Sequence, residues 1–223
     1  MNFNHTQDFY EHIKGADILE HLKGFLTHED PNIRAKACSA LGNMCRHNSY
    51  FYSLLVRINH LVDRCSDGDK RTRKFACFAI GNAAYHNDFF YEELRRCIPQ
   101  LANLLLSEEE DKTKANASGA LSNLVRNSNK LCQDMVSKGA MQALLKLVED
   151  CSVVIPNPSR KDAISESPLK ILLFALYKMC THAPCRQFLR TSDRYPVLGN
   201  LRESGDDTIS EYASAILKKT AQS

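Results

Sequence analysis

The chain has 223 residues, with 29 Lys+Arg against 26 Asp+Glu, a formal net charge of +3 and 43% hydrophobic residues. It is long enough to bury a real core, and its composition is that of an ordinary folded domain. So small a charge gives no reason to expect nucleic acid as a partner, no apolar run reaches bilayer length, and no basic-then-apolar signal peptide opens the sequence, so no membrane is expected either.

Taken in chain order, the segments have helical periodicity. Two short amphipathic stretches, QDFYEHIKG (7–15) and ADILEHLKGFLT (16–27), precede a longer one that starts at Pro31 and contains ACSALGNM. That string returns as ACFAIGNA and ASGALSNL, and more weakly as LFALYKM and ASAILKK. Its anchor residues are Asn43, Asn82, Asn123, Lys178 and Lys219, in steps of 39, 41, 55 and 41 residues. The fourth unit shows the short pair again as NKLCQDMVSKG and AMQALLKLVED. Glycine closes the first short helix in both places, at Gly15 and Gly139, where it accepts a left-handed cap without a Cβ penalty. Pro31 and Pro168 fall in the first turn of long helices, where a missing N–H costs little. No stretch alternates with period 2, so no sheet is expected.

Five copies near forty residues predict an all-α fold, a right-handed armadillo/HEAT-type α-solenoid of about five three-helix repeats. The expected organisation is one solenoid over 1–223, with units at about 7–47, 48–86, 87–127, 128–182 and 183–223. The long step holds an insertion, CSVVIPNPSRKDAISE (151–166), expected as an extended surface loop. Within it and beside it, Ser159, Ser165 and Ser167 are candidate phosphorylation sites or helix caps.

Helix geometry at 100° per residue assigns faces to the third helices. Ile33, Ala37, Ala40, Leu41 and Met44 form one stripe, repeated as Thr72, Ala76, Ala79, Ile80 and Ala83 and as Thr113, Ala117, Ala120, Leu121 and Leu124. Alternating small and large residues suit close stacking between neighbouring repeats. The anchor side of the same helices carries Lys36, Asn43 and Arg46, then Arg71, Lys74, Phe78, Asn82 and Tyr85, then Lys112, Asn123 and Arg126. In the last two units Phe174 and Tyr212 stand on this side and the basic character fades. Third helices line the concave side of a solenoid, so these residues are the expected partner-binding groove. Asn side chains offer both a donor and an acceptor to the backbone of an extended peptide. The same Asn residues could instead bond the neighbouring helix and set the repeat geometry, and both readings stay open at this point.

Catalytic signals are missing. There is no glycine-rich nucleotide loop, Walker A sequence or kinase signature, so no cofactor and no small-molecule substrate is expected. His47, His86 and His182 each follow an anchor by four residues, but they stand about one repeat apart, with Asn127 interrupting the series, and no metal is expected. Nine scattered cysteines cannot all pair, and they suit buried thiols in a reducing compartment. An importin-like cargo adaptor would need a Trp four residues before each groove Asn; here those positions are Ser39, Phe78 and Gly119, and the chain has no Trp.

The run DKRTRKFACFAIGNAAYHNDFFYEELRRCIPQL, followed by EEDKTKANASGALSNLVRNSNKLCQDMVSKGA and ESPLKILLFALYKMCTHAPCRQFLR, resembles the C-terminal armadillo region of the Fused family of serine/threonine protein kinases over roughly residues 28–223. The resemblance implies a large cytoplasmic protein with an N-terminal kinase domain that these residues do not contain. It implies roles in Hedgehog signalling and in the ciliary central pair, with kinesin-like or axonemal central-pair proteins as partners, and a cytoplasmic, cytoskeletal or ciliary location. The expected function is a non-catalytic protein-interaction scaffold binding an extended segment along its groove. The alternative is the regulatory C-terminal region of a Fused-type kinase.

Overall fold

A computed structural model describes residues 12, 18–52, 59–153 and 168–222. Among these residues every regular element is a helix. In chain order they are α1 (Ile18–Phe25), α2 (Pro31–Met44), α3 (Asn59–Asp63), α4 (Lys70–Ala83), α5 (Tyr91–Leu94), α6 (Ile98–Leu106), α7 (Asp111–Asn123), α8 (Cys132–Ser137), α9 (Ala140–Val153), α10 (Pro168–Met179), α11 (Ala183–Thr191), α12 (Pro196–Arg202) and α13 (Asp207–Ala221). Short 3₁₀ turns extend α3 over Arg64–Ser66 and join α5 to α6 over Arg95–Cys97.

The long helices α2, α4, α7, α10 and α13 each contain an anchor residue, and each packs on the next in sequence order. Their starts are set locally. Asp30, Asp69 and Asp206 are extended N-cap residues whose carboxylates accept from Asn32 N, Thr72 N and Ile209 N, satisfying a first-turn amide and complementing the helix dipole. Gly139, at φ 77°, breaks the chain between α8 and α9, as its place in the sequence implies.

The predicted stripe supplies the packing. Ala76, Ala79, Ile80, Ala117, Ala120 and Leu121 are all but fully buried, and small residues let adjacent long helices approach. Burying each large aliphatic side chain contributes about 1.5–3 kcal/mol. Eight of the nine cysteines are buried and free, and Cys151 is half-buried. Burial pushes the Cys38, Cys45 and Cys180 thiols up to about 12, so they stay protonated and inert near neutrality.

Two glycines on the long helices differ in what surrounds them. A Cβ on Gly42 would lie 2.6 Å from the Phe78 ring and 3.1 Å from the Ala79 backbone, while one on Gly119 would meet nothing within 4 Å. Ala is the better helix former by about 1 kcal/mol, but overpacking costs about 1–3 kcal/mol. Gly42→Ala is therefore expected to lower the thermal midpoint and Gly119→Ala to raise it, each by a few degrees at about 2–4 °C per kcal/mol. A rise with Gly42→Ala in calorimetry would contradict this packing.

One boundary differs from expectation. Helix α9 continues through Cys151, Ser152 and Val153, so the first three residues of the expected 151–166 loop are helical; their side chains extend an amphipathic helix before the prolines intervene. Residues 154–166, with Ser159 and Ser165, lie outside the described residues, as do Ser167 and, apart from His12, the predicted helix at 7–15.

Candidate functional site

The anchor side chains tie the long helices together. Asn82 Nδ2 donates to the Gly42 carbonyl at 2.9 Å, and Asn123 Nδ2 donates to the Gly81 carbonyl at 2.9 Å. Lys219 does the same to the Tyr177 carbonyl at 3.3 Å. The acceptor is each time the residue just before the preceding anchor. Each Asn amide spends one N–H this way and keeps a second N–H and its oxygen. Asn43, on the first long helix, is exposed and has no such bond among the described residues.

The residues four beyond the second, third and fourth anchors make a second tie. His86 Nε2 meets the Arg46 carbonyl at 3.2 Å, Asn127 Nδ2 donates to the Tyr85 carbonyl at 3.1 Å, and His182 Nε2 meets the Val125 carbonyl. The spacing of His86 and His182 is thus inter-repeat bonding, while His47 is exposed and has no such bond among the described residues. Asn127, which interrupts the histidines in sequence, does their work in space.

A third tie was not legible in the face pattern. Arg34 grips Asp67 with two bonds of 2.8 Å and also donates to the His28 and Glu29 carbonyls at 2.8 Å. Arg64 adds a contact to Asp67 at 2.9 Å. One repeat on, Arg73 Nε donates to Glu109 at 2.7 Å and Arg73 Nη1 to the Asp67 and Gly68 carbonyls. The carboxylates are buried, with 2% of the Asp67 side chain and 4% of the Glu109 side chain exposed. Burial alone would raise the Asp67 carboxyl, but the bonds from Arg34, Arg64 and the Asp69 amide outweigh it and hold it below the usual carboxylate range. The signal was present as Arg34 and Arg73, 39 residues apart, each followed by an acidic residue in the next unit.

The predicted groove residues fall into three groups. Tyr85, Asn123, Arg126 and Phe174 come together, with Gly119, Ser122, Asn127, Ile171, Lys178 and Thr181, around one groove of about 640 Å³ between α7 and α10. The Arg126 guanidinium lies 4.2 Å from the centre of the Tyr85 ring, and Lys178 Nζ lies 5.1 Å from that of Phe174. Tyr212 stands just beyond, with its ring edge-on to Phe174 at 5.7 Å. Lys36, Arg46 and Lys112 are exposed, and none is within ion-pair distance of a carboxylate among the described residues.

The remaining residues serve the fold more than the surface. Lys74 is paired with Glu110 at 2.8 Å, which removes it from the expected row of unpaired cations. Arg71 donates to Asn32 Oδ1 at 2.6 Å and so bridges the starts of α4 and α2. Phe78 is half-buried, its ring turned onto Gly42 instead of standing in the groove. Asn82 is half-buried through its bond to Gly42. Among the described residues, no group of three His, Cys, Asp or Glu side chains could hold a metal ion.

Comparison with known proteins agrees with this architecture. The Armadillo/beta-catenin-like repeat family matches residues 7–46. "Serine/threonine-protein kinase TIO" of Arabidopsis thaliana is 65% identical over 217 residues, which cover 96% of this chain and 16% of that protein. The chain thus spans about one-sixth of the length of the curated relative it matches. Among solved structures, a designed armadillo repeat protein in complex with peptide (KR)4 superposes with a TM-score of 0.79 at 20% identity, over 94% of this chain and 84% of that one. The armadillo-repeats-only protein of Plasmodium falciparum superposes with a TM-score of 0.71 at 15% identity, over 99% of both. These likenesses show an armadillo α-solenoid.

Proposed function

The chain corresponds to the armadillo-repeat region of a Fused-type serine/threonine kinase, with no kinase domain within its 223 residues, and from that premise we propose that it is an interaction scaffold that holds an extended partner segment in the groove of its long helices. The observation that carries this reading is the groove between α7 and α10. The exposed rings of Tyr85 and Phe174, the Asn123 amide with bonding capacity left over, and Arg126 and Lys178, neither in an ion pair among the described residues, face one channel of about 640 Å³. Elsewhere the basic side chains Arg34, Arg73, Lys74 and Lys170 are paired with Asp67, Glu109, Glu110 and Asp206. Unpaired cations favour a partner with acidic residues, the opposite polarity to the (KR)4 peptide held by the designed relative. The microtubule, ciliary and Hedgehog settings, with kinesin-like or central-pair partners, are part of this proposal through the family resemblance alone.

Charge reversal tests it. Arg46→Glu, Lys112→Glu and Arg126→Glu together touch no intramolecular carboxylate pair and are expected to reduce capture of a partner by at least tenfold, with circular dichroism unchanged. Full capture by the folded triple variant would remove the groove from the account. A second reading is regulation in cis of a kinase domain, favoured by the kinase to which the chain is similar. Adding the chain to that isolated domain should then change its activity.

A further inference from the structure

The position four residues before each anchor holds Ser39, Phe78, Gly119, Phe174 and Ala215 in turn, and of these Gly119 and Phe174 line the groove. Phe78 is turned onto Gly42, and Phe174 is 41% exposed. Between them Gly119 leaves the groove floor open, since a Cβ there would meet nothing within 4 Å. The fold does not require this glycine. It has ordinary helical backbone and no close neighbour, unlike Gly139 with its positive φ and Gly42 beneath the Phe78 ring. Glycine in a helix interior is unfavourable, so the open floor comes at a cost in stability that packing does not explain.

The walls are aromatic with cationic rims. Tyr85, 41% exposed, stands on one side with Arg126 stacked on it, and Phe174 on the other with Lys178. Neither cation has a carboxylate partner among the described residues. Lys178 also breaks the anchor pattern. Asn82, Asn123 and Lys219 donate back to the preceding long helix, whereas Lys178 makes no such bond among the described residues and keeps its ammonium at the groove. We propose that Gly119 floors a socket for one aromatic side chain of the partner, clasped between Tyr85 and Phe174, with acidic residues on either side of it meeting Arg126 and Lys178. This rests on the groove reading above and adds the partner's chemistry to it. Aromatic guests suit such a site because ring edges meet ring faces favourably, and carboxylates supply the charge that the two cations lack.

The test uses the full chain and two labelled heptapeptides, Ser-Asp-Glu-Phe-Asp-Glu-Ser and the same sequence with Gly in place of Phe, titrated by fluorescence anisotropy up to millimolar concentration. The Phe peptide is expected to bind at least tenfold more tightly. Gly119→Leu fills the floor and improves helix propensity, so it should fold at least as well, checked by its thermal midpoint, while bringing the Phe peptide down to the affinity of the Gly peptide. Arg126→Glu with Lys178→Glu should abolish binding of both. Equal affinity for the two peptides, or no effect of Gly119→Leu, overturns the socket and leaves the groove standing. Phe-dependent binding that ignores the charge reversal overturns the acidic flank. No binding of either peptide overturns the socket and the groove reading together.

Discussion

Asp67→Ala is expected to destabilise the fold by about 3–5 kcal/mol, the range for removing one partner of a buried ion pair. The carboxylate is 2% exposed and receives two bonds from Arg34, one from Arg64 and one from the Asp69 amide. Truncation removes the carboxylate acceptor of two guanidinium groups and an amide, just where the turn before α4 meets α2, and leaves Arg34 only the His28 and Glu29 carbonyls. At about 2–4 °C per kcal/mol the midpoint should fall by roughly 10 °C. By contrast, Arg202→Ala removes a pair whose side chains are 59% and 73% exposed, and should leave stability unchanged within about 0.5 kcal/mol. Equal effects from the two substitutions in chemical denaturation would contradict the role given to Asp67.

The same carboxylate makes a contribution that depends on pH. Its folded value is held below the ordinary value of about 3.9. A depressed carboxylate stabilises fully above its unfolded value and loses that contribution as pH falls through its folded one. Asp67→Asn should therefore show a shallower loss of stability below about pH 4 than the parent chain.

Tyr91→Ala is the second large effect, expected at about 3–5 kcal/mol for deleting a buried aromatic side chain. Tyr91 is 0% exposed, its hydroxyl donates to the Asn123 carbonyl, and it accepts from the Asn127 N–H at 3.1 Å. It locks the first helix of its repeat to the end of α7, beside the groove. A phenol is protonated at neutral pH and so donates, and burial pushes its titration further up. Tyr91→Phe keeps the ring and loses only the polar tie, and should cost about 1–3 kcal/mol. Tyr52 makes the matching bond to the Asn82 carbonyl one repeat earlier, so Tyr52→Phe should cost a similar amount. A Tyr91→Phe variant as stable as the parent by calorimetry would contradict the locking role.

What could be seen in advance follows from where the information lies. The repeat period, the helices and the buried stripe of α4 and α7 are periodic in the side chains themselves, so the burial of Ala76, Ile80, Ala117 and Leu121 is legible in the sequence. The anchor Asn residues were ambiguous because their partners are backbone carbonyls about forty residues away, and a carbonyl leaves no mark in the sequence. Lys74 and Lys112 looked alike on a helical projection. Only the fold puts Glu110 beside the first. Phe78 and Phe174 occupy the same repeat position, and what separates them is the glycine opposite Phe78, a neighbour from another helix. The Arg34–Asp67 pair leaves no periodic mark in the sequence, because their meeting depends on the turn geometry between the second and third helices.

The central claim is that the partner lies along the long helices and not across the second ones. It is tested most directly by site-specific photo-crosslinking in cell extract, with a benzophenone side chain placed at Thr181, which lines the groove, or at Asn103, exposed on α6. The groove reading expects a partner adduct from position 181 and none from 103, lost when Arg126→Glu and Lys178→Glu are added. Adducts from 103 alone, or adducts from 181 that survive the charge reversal, would contradict it.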